Sequence, residues 1–318
     1  MTTSQLPQPT ETVAQPPPTV AAAGAAATWT QPKYRTTESI DRTHKIIAYT
    51  ILVLGSLAFL VPFYFVINGS LKTEAEVAAG DFVTPPNTMA SVKWSNYPLA
   101  LSPEKMNFFP ALANTVVITT LCVLGQVISC SLVGFGFARF NFRGRGILFM
   151  VMLSTMMLPA QVTMIPVFIL FRYLGMIDSF WPLIIPAWLA SPFFVFMFRQ
   201  FFSQIPEELI EAARIDGASN WRVYWQLMLP LSGPVIAIVC IYTFLGAWND
   251  FLAPLIYLNS PENRTLTLAL NAFKSQYGTT DAQLLMAASV VCMLPCIILF
   301  FAAQKYFVES VAMTGLKS

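Results

Sequence analysis

Residues 111–137 read ALANTVVITTLCVLGQVISCSLVGFGF, an uninterrupted run without a charged side chain. A helix of about 20 apolar residues is long enough to cross the ~30 Å hydrocarbon core of a bilayer. Because backbone polar groups in lipid must find their hydrogen bonds within the protein, such a run predicts a transmembrane helix. The whole chain has the same character, since 56% of its residues are hydrophobic and 11% are charged, against about 25% charged in soluble domains.

Five further apolar runs of similar length predict further spans, and the alternating segments of about ten residues that build transmembrane barrels do not occur. We therefore predict an all-α integral membrane protein with six transmembrane helices. The spans are residues 46–67, 111–137, 147–171, 180–202, 234–258 and 284–307. Residues 46–318 form the predicted transmembrane domain. Residues 1–45 are rich in Pro and Ala and lack an apolar core, so we predict a disordered cytoplasmic tail.

The distribution of basic residues predicts the orientation, because cytoplasmic loops are enriched in Lys and Arg. With both termini inside, twelve of the 18 basic residues lie on the cytoplasmic side and six lie outside. The sharpest signal is the connection between the second and third spans, which holds Arg139, Arg143 and Arg145 and no acidic residue. We expect both termini to be cytoplasmic, together with residues 203–233 between the fourth and fifth spans.

The loop at residues 203–233 is long for a connection, and its residue pattern predicts a helix, a glycine and a second helix. Pro206 followed by two glutamates is typical of a first helical turn, where carboxylates interact favourably with the helix dipole. Gly217 stands where a left-handed C-terminal cap is needed. Ser219 can cap the second helix, which we expect to end at Leu229-Pro230.

An alternative interpretation makes this loop an amphipathic hairpin on the membrane surface, which Trp221 and Trp225 would suit. The first helix, however, carries mostly glutamates, and this charge disfavours contact with anionic lipid headgroups. Leu209, Ala212 and Ala213 are expected on one face, where the small alanines permit close approach of another surface. Docking to a protein is therefore the favoured interpretation.

The motif Glu211-Ala-Ala-Arg-Ile-Asp-Gly-Ala218, followed by Leu229-Pro230, resembles the EAA loop of ATP-binding-cassette importer permeases. Trp248-Asn-Asp-Phe-Leu-Ala-Pro254 and Thr265-Leu-Thr-Leu are similar to segments of the carbohydrate branch of that family. The resemblance covers most of the chain outside the N-terminal tail. Its nearest type is the shorter permease subunit of maltose-type sugar transporters.

The resemblance implies a permease subunit that carries a di- or oligosaccharide across the cytoplasmic (inner) membrane by alternating access. Its implied partners are a second permease subunit, a cytoplasmic ATPase dimer and an extracytoplasmic solute-binding protein. ATP and Mg would be bound by the ATPases, because this chain lacks GxxxxGK[ST]; we expect no cofactor and no enzyme activity of its own. The residues expected to couple it to the ATPase are Glu211, Ala212, Ala213, Asp216, Gly217, Ala218, Leu229 and Pro230.

Polar residues inside the predicted spans are candidates for the substrate path, because polar groups at membrane depth usually face a cavity or a partner. Asn249 and Asp250 offer hydrogen-bonding groups for sugar hydroxyls, or they stabilise contacts between helices near Pro254. Weaker candidates are Gln126, Gln161 and Thr163.

Other functions remain open at this point. The same class of permease could carry a peptide, a polyamine or phosphate. A stand-alone ion-coupled transporter should show inverted repeats and intramembrane ion sites, whereas only Asp250 is acidic within the predicted spans. A membrane enzyme or metal site would need clustered His, Cys or carboxylates, and the five cysteines and single histidine form no such motif. The net charge of +2 gives no reason to expect nucleic acid.

Overall fold

The computed structural model describes residues 42–85, 91–271, 273 and 281–315, and the regular structure in these ranges is helical. Residues 1–41 of the predicted tail lie outside the described residues, as do Lys274 and Lys317 of the charge pattern. The helices are α1 (Arg42–Ser70), α2 (Glu74–Ala78), α3 (Asn96–Leu101), α4 (Phe108–Arg139), α5 (Arg145–Ser154), α6 (Ala160–Tyr173), α7 (Trp181–Trp188), α8 (Pro192–Phe202), α9 (Glu207–Ile215), α10 (Asn220–Val223), α11 (Leu229–Leu231), α12 (Gly233–Trp248), α13 (Leu252–Tyr257), α14 (Leu266–Asn271) and α15 (Ala282–Gly315).

The chain divides into two compact units, residues 1–58 and 59–318, and α1 begins in the first and ends in the second. In the first unit, the side chains from His44 to Leu54 are exposed. They are predominantly apolar, which is the surface that a helix presents to lipid.

Four helical stretches of the described chain are long and apolar enough to cross a bilayer: His44–Ser70, Phe108–Arg139, Trp181–Phe202 and Ala282–Ala302. The count reaches six if each of two bent pairs is one span. These pairs are Arg145–Met157 with Ala160–Tyr173, bent by 99°, and Asn220–Leu231 with Gly233–Trp248, bent by 76°. The predicted all-helical membrane architecture is thus confirmed, while the number of spans and their orientation stay predictions.

Two predicted spans are interrupted where a residue precedes a proline. In the third span, Leu158 is extended with ψ of 119°, because the ring of Pro159 disfavours the helical conformation of the residue before it. In the fourth, Ala190 has φ of 59° and Ser191 is extended before Pro192. The third predicted span is therefore two helices at an angle of 99°, and the fourth is a helical stretch interrupted at Leu189–Ser191.

The predicted fifth span, residues 234–258, is also two helices. Helix α12 ends at Trp248 and α13 begins at Leu252. The 16 residues of α12 cover only about 24 Å, less than the ~30 Å of a hydrocarbon core. The candidate residues Asn249 and Asp250 occupy the break between the two helices.

Helix α4 is the centre of the unit formed by residues 59–318, where it packs against α7, α8 and α12. Glycines on α4 allow the close approach. A Cβ atom added to Gly134 would lie 2.6 Å from the Cβ of Phe198 on α8, and one added to Gly125 would lie 2.4 Å from the Trp188 ring on α7. Small residues at such crossings are the usual means by which membrane helices approach each other closely.

The connection from α1 to α4 folds around a buried lysine. Lys72 is 2% exposed, and its Nζ lies 2.9 Å from the Asp81 carboxylate. The side-chain amide of Asn96 donates to the carbonyls of Ser70 and Lys72, at 2.9 and 2.8 Å. Because a buried charge is tolerated only with partners, these contacts give the connection a fixed internal structure.

Candidate functional site

The first helix of the 203–233 loop, α9, ends as the sequence predicts. Gly217 has φ of 80°, a left-handed conformation that glycine adopts without a steric penalty. Its N–H donates to the carbonyl of Arg214 at 3.0 Å, and the N–H of Ala218 donates to the carbonyl of Ala213 at 2.9 Å. These two bonds define a Schellman motif, which fixes the direction in which the chain leaves α9.

The second helix of the loop begins as predicted and ends later. The Ser219 side chain accepts a hydrogen bond from the N–H of Arg222 at 3.3 Å, and α10 follows. The backbone then widens into a π-helical turn, Tyr224–Met228, and stays helical through the proline to Leu231. The helix thus ends one residue beyond the predicted stop at Leu229-Pro230, before a bend of 76° into α12.

Helix α9 has a buried face and an exposed face. Ile210 is 2% exposed, and Ala213 is half-buried against the same hydrophobic cluster, formed by the ends of α4 and α8 with α10 and the π turn. Leu209 and Ala212 are exposed, and Ile215 is 86% exposed. The prediction that Leu209, Ala212 and Ala213 share one face is therefore wrong for Ala213, which belongs to the internal packing of the loop.

The two acidic residues of the motif point away from the protein. Glu211 and Asp216 are exposed, and neither side chain has a hydrogen-bond or ion-pair partner in the described part of the chain. By contrast, Ala218 and Leu229 are half-buried against the hydrophobic cluster, and Pro230 is exposed. The motif thus separates into residues that hold the hairpin together and carboxylates that are accessible to another molecule.

Arg139, the last residue of α4, fixes the entry to the loop. Its Nη1 lies 2.6 Å from a carboxylate oxygen of Glu207, the first residue of α9. Its Nη2 donates to the carbonyls of Phe202 and Ile205, at 2.5 and 2.6 Å. Charge-assisted bonds of this kind are about twice as strong as neutral ones, so one guanidinium joins α4 to the end of α8 and the start of α9.

A buried tyrosine fixes the second helix of the loop to α4. Tyr224 is 1% exposed, and its hydroxyl lies 2.7 Å from the hydroxyl of Ser131. Its ring centroid is 5.3 Å from that of Phe135, one turn further along α4. Arg139 and Tyr224 therefore attach both helices of the loop to the last three turns of the same membrane helix.

Two of the substrate-path candidates line one cavity. A cavity of about 300 Å³, here called the polar cavity, is bordered by α4, α7 and α12 and includes Gln126 and Asp250. Asn249 lines a different and mostly apolar cavity of about 850 Å³ beside α15. Gln161 and Thr163 are exposed on α6 and line neither cavity. The structure thus brings together two of the five candidates.

The Asn249-Asp250 pair also stabilises the break between α12 and α13. The Asn249 amide donates to the carbonyl of Leu245 at 2.9 Å, and the Asp250 carboxylate accepts from the N–H of Ala253 at 3.3 Å. The hydroxyl of Thr267 donates to the Asp250 carbonyl at 2.5 Å. The bonds of Asp250 satisfy backbone groups at the break, and the Asn249 amide adds a second bond to the last turn of α12, which agrees with the structural alternative for the pair.

A network of long-range bonds anchors the segment that follows α13. The Asp178 carboxylate accepts hydrogen bonds from the backbone N–H groups of Asn259 and Ser260, both at 2.9 Å. Together with bonds from the side chains of Ser260 and Asn263, these hold the pKa of Asp178 well below its usual range. At the start of α4, the Asn114 amide donates to the carbonyls of Glu262 and Arg264, at 2.7 and 3.0 Å.

Sequence reasoning missed three residues that the structure makes prominent. The sequence analysis used Arg139 only to predict the membrane orientation. It placed Tyr224 only within the second helix of the loop, and it did not single out Thr243. All three depend on contacts between segments that are distant in the sequence, such as the 68 residues that separate Arg139 from Glu207. No group of three or more His, Cys, Asp or Glu able to hold a metal ion occurs within the described ranges.

Fold and loop together define a multi-helix membrane subunit that presents a firmly attached helical hairpin. A family model described as a binding-protein-dependent transport system inner membrane component matches residues 131–313, more than half of the chain. The chain belongs to this family, and the predicted importer-permease class is confirmed. It is therefore a multi-pass protein of the inner membrane, in a family of transporter permease subunits rather than enzymes.

Curated relatives match over nearly their whole length. The arabinooligosaccharides transport system permease protein AraQ of Bacillus subtilis is 33% identical over 276 residues, covering 86% of this chain and 96% of AraQ. The diacetylchitobiose uptake system permease protein NgcG of Streptomyces coelicolor is 30% identical, covering 87% and 91% of the two chains. A solved bacterial ABC transporter involved in import of the acidic polysaccharide alginate is 25% identical with a TM-score of 0.73, covering 84% and 97%.

Proposed function

We propose that this chain is one permease subunit of an ATP-driven importer that carries a di- or oligosaccharide across the inner membrane by alternating access. The observation that carries the mechanism is the 203–233 hairpin, attached to α4 by Arg139 and Tyr224 while one face of α9 stays exposed. Support for a saccharide comes from relatives whose names specify arabino-oligosaccharides, diacetylchitobiose and lactose. A further relative is a permease for sn-glycerol-3-phosphate, so the substrate class rests on the relatives whose names specify a sugar.

The proposed assembly contains a second permease subunit, two cytoplasmic ATPases and an extracytoplasmic solute-binding protein. The titles of the solved relatives support the last partner, since one describes an alginate transporter in complex with its periplasmic protein. ATP and Mg are bound on the ATPases in this scheme, and this chain holds no cofactor. Both termini and the 203–233 hairpin lie in the cytoplasm in this scheme. The connection between the second and third spans lies on the same side of the membrane.

In the proposed mechanism, the exposed face of α9 docks into a cleft of the ATPase. Ala212 permits close approach, and Glu211 and Asp216 pair with basic ATPase residues. Four other residues of the predicted motif hold the hairpin in shape: Ala213, Gly217, Ala218 and Leu229. Pro230 is exposed and stays a candidate for coupling to the ATPase. Closure of the ATPase dimer around ATP then moves the hairpin as one body.

The movement reaches the membrane through α4. Because Arg139 joins the carbonyl end of α8 and the first residue of α9 to α4, the hairpin cannot shift without displacing that helix. A shift from 1:99 to 99:1 between inward- and outward-open states needs about 5.5 kcal/mol of differential binding. ATP binding supplies this preference, and the charge-assisted contacts of Arg139 link the hairpin to α4.

The substrate path stays a proposal for all five candidates, with different roles. Gln126 and Asp250 face the polar cavity and contact the solute. Asn249 supports the broken helix at the edge of the path. Gln161 and Thr163, exposed on α6, face the second permease subunit.

Cysteine crosslinking tests the proposed docking face with an internal control. In a background without the five native cysteines, Cys is placed at Ala212 or at Ala213, and candidate ATPases carry a Cys in their cleft. We expect an ATP-sensitive crosslink from the exposed position 212 and little or none from the half-buried position 213. Absence of any crosslink from position 212 in an inserted subunit would refute docking through α9 and restore the membrane-surface hairpin, so that this permease would have to contact its ATPase through another segment.

A further inference from the structure

The polar cavity contains two buried polar atoms without a hydrogen-bond partner. Gln126 on α4 is 6% exposed, and its side-chain oxygen Oε1 has no hydrogen-bond partner among the described residues. The hydroxyl oxygen of Thr243 on α12 is in the same situation. Such atoms are rare in native proteins because each loses the hydrogen bonds it made in water. Gln126 and Thr243 lie on different helices and line the same cavity, so one polar ligand bound there would supply a partner to both.

The chemistry of the lining favours a ligand that carries hydrogen-bonding groups and no negative charge. The Asp250 carboxylate and Gln126 Oε1 are acceptors, and none of the lining residues that the structure describes is Lys, Arg or His. The Thr115 hydroxyl is already used, because it accepts from the N–H of Leu266 and donates to the Ala111 carbonyl, both at 2.9 Å. An anion would meet the carboxylate without a compensating cation, so the lining disfavours it.

The volume of the polar cavity favours a small organic ligand over a metal ion. The volume of about 300 Å³ equals that of roughly ten liquid waters and falls at the lower end of the ~300–1,000 Å³ of small-molecule pockets. Most of the lining is apolar, and it includes the rings of Phe194 and Tyr242. A metal ion instead needs several oxygen ligands within about 2.6 Å of it. Mainly apolar walls with a few convergent polar groups are typical of sites for small organic molecules.

We propose that the polar cavity binds one unit of an uncharged saccharide. Hydroxyl groups of the sugar donate hydrogen bonds to Gln126 Oε1 and to the Asp250 carboxylate. Another sugar hydroxyl forms a hydrogen bond with the Thr243 hydroxyl, as donor or as acceptor. This subunit then contacts the solute directly and discriminates against acidic sugars. The inference rests on the proposed function, since it assumes that a saccharide reaches the membrane subunit. The inference adds Thr243 to the candidate residues of the substrate path. It also predicts that this path prefers uncharged sugars to acidic ones.

The native Cys122 lines the cavity and serves as a reporter. In the complete importer in liposomes, the other four cysteines are replaced by alanine, and the rate of Cys122 modification by a small methanethiosulfonate reagent is measured. The probe is the neutral sugar that the importer takes up, chosen from arabinotriose, lactose and diacetylchitobiose. We expect that sugar to slow modification at least about fivefold, while an alginate oligosaccharide has no effect. A variant with only Cys292, which lines the other cavity, should show no protection.

Uptake kinetics provide a second measurement that does not depend on access of the reagent. Thr243→Val and Gln126→Leu each remove one hydrogen bond to the sugar, so KM for uptake should rise about five- to tenfold with little change in kcat. Thr119→Val is the matched control, because its hydroxyl is also buried without a partner but does not line the cavity. Its KM should stay unchanged.

The outcomes separate this inference from the proposed function. Uptake of a neutral sugar with unchanged KM in both variants and no protection of Cys122 would overturn the saccharide site and leave the importer intact. Equal KM effects in Thr119→Val and Thr243→Val would assign the hydroxyls to helix packing and would also overturn it. If none of the three sugars is taken up by an active importer, the saccharide assignment itself is wrong, and this inference is lost with it.

Discussion

Two polar interruptions of this apolar chain, the 203–233 hairpin and residues 249–267, differ in what holds their own backbone in shape. Arg139 and Tyr224 attach the hairpin to α4, but its turn is formed locally. The hairpin is closed by bonds between near neighbours, such as those of Gly217 and Ala218 to α9 and of Ser219 to α10. Residues 249–267 are held mainly by distant parts of the chain. Asp178 binds the backbone of Ser260, and Thr115 binds that of Leu266.

The difference concerns what each region can do when helices move. Bonds within a few residues persist when the surroundings shift, so the hairpin can travel as one body. Bonds between distant helices exist only while those helices keep one arrangement, so residues 249–267 are sensitive to that arrangement. A transporter that alternates between two states needs both kinds of region: one that transmits force and one that responds to it.

The largest expected effect comes from the exposed side of the hairpin. Glu211→Lys reverses a charge that has no partner within the described chain, so folding should be unaffected while docking to a basic surface is lost. We expect uptake to fall to the background of cells without the subunit, at normal levels of inserted protein. Glu104→Lys, an exposed residue outside the hairpin, is the control and should keep normal uptake. Normal uptake by Glu211→Lys would remove the hairpin from the mechanism.

Overpacking beneath the hairpin should lower stability. A side chain at Gly134 meets the Phe198 Cβ at 2.6 Å and the Arg199 backbone nitrogen at 3.1 Å, whereas one at Gly136 meets nothing within 4 Å. Gly134→Val should therefore destabilise the subunit by about 1–3 kcal/mol and Gly136→Val should not. Thermal unfolding in detergent should show a Tm lowered by several degrees only for the first. Equal Tm values would mean that α4 and α8 are not packed as described.

Loss of the guanidinium should weaken transmission more than folding. Arg139→Gln removes the ion pair with Glu207 and weakens the contacts to two carbonyls. We expect uptake per ATP hydrolysed to fall about tenfold, equivalent to ~1.4 kcal/mol, while ATPase activity of the assembled importer persists. Arg145→Gln, which removes only exposed local bonds, is the control. A parallel fall of uptake and ATPase activity would indicate lost assembly instead of lost coupling.

The smallest expected effect concerns the long-range region and depends on pH. Because its hydrogen bonds lower the pKa of Asp178 in the folded protein, ionised Asp178 stabilises the fold above its ordinary pKa of about 3.9. That contribution is lost as pH falls through the lower folded-state value. Asp178→Asn should therefore reduce Tm modestly near neutral pH, and the difference from the wild type should shrink below about pH 4. A difference independent of pH would exclude the carboxylate charge as the cause.

The regions also differ in how far the sequence predicts them. Capping at Gly217 and Ser219 follows from local backbone chemistry, and both caps are confirmed. The burial of Ala213 and the helical state of Pro230 depend on which neighbours α9 and the π turn pack against, so local rules failed there. The apolar runs predicted membrane helices, but hydrophobicity alone does not show where a run bends.

The candidate path shows the same limit more clearly. Gln126 and Asp250 are far apart in sequence, and only the packing of α4 against α12 brings them to one cavity. Asn249, although adjacent to Asp250, lines a different cavity because the chain turns between α12 and α13. Thr243 carries no local signal, since a threonine in an apolar helix usually bonds to its own backbone.

Helix α4 contacts both the 203–233 hairpin and residues 249–267, so mutations at its two ends should influence each other. Its 32 residues span about 48 Å, with Asn114 bound to the 262–264 segment near one end and Arg139 bound to the hairpin at the other. A substitution that alters the tilt of this helix at one surface alters it at the other. Selection for restored uptake in an Arg139 variant should therefore recover compensating changes around Asn114 and Glu262, at the other end of α4 from the original lesion.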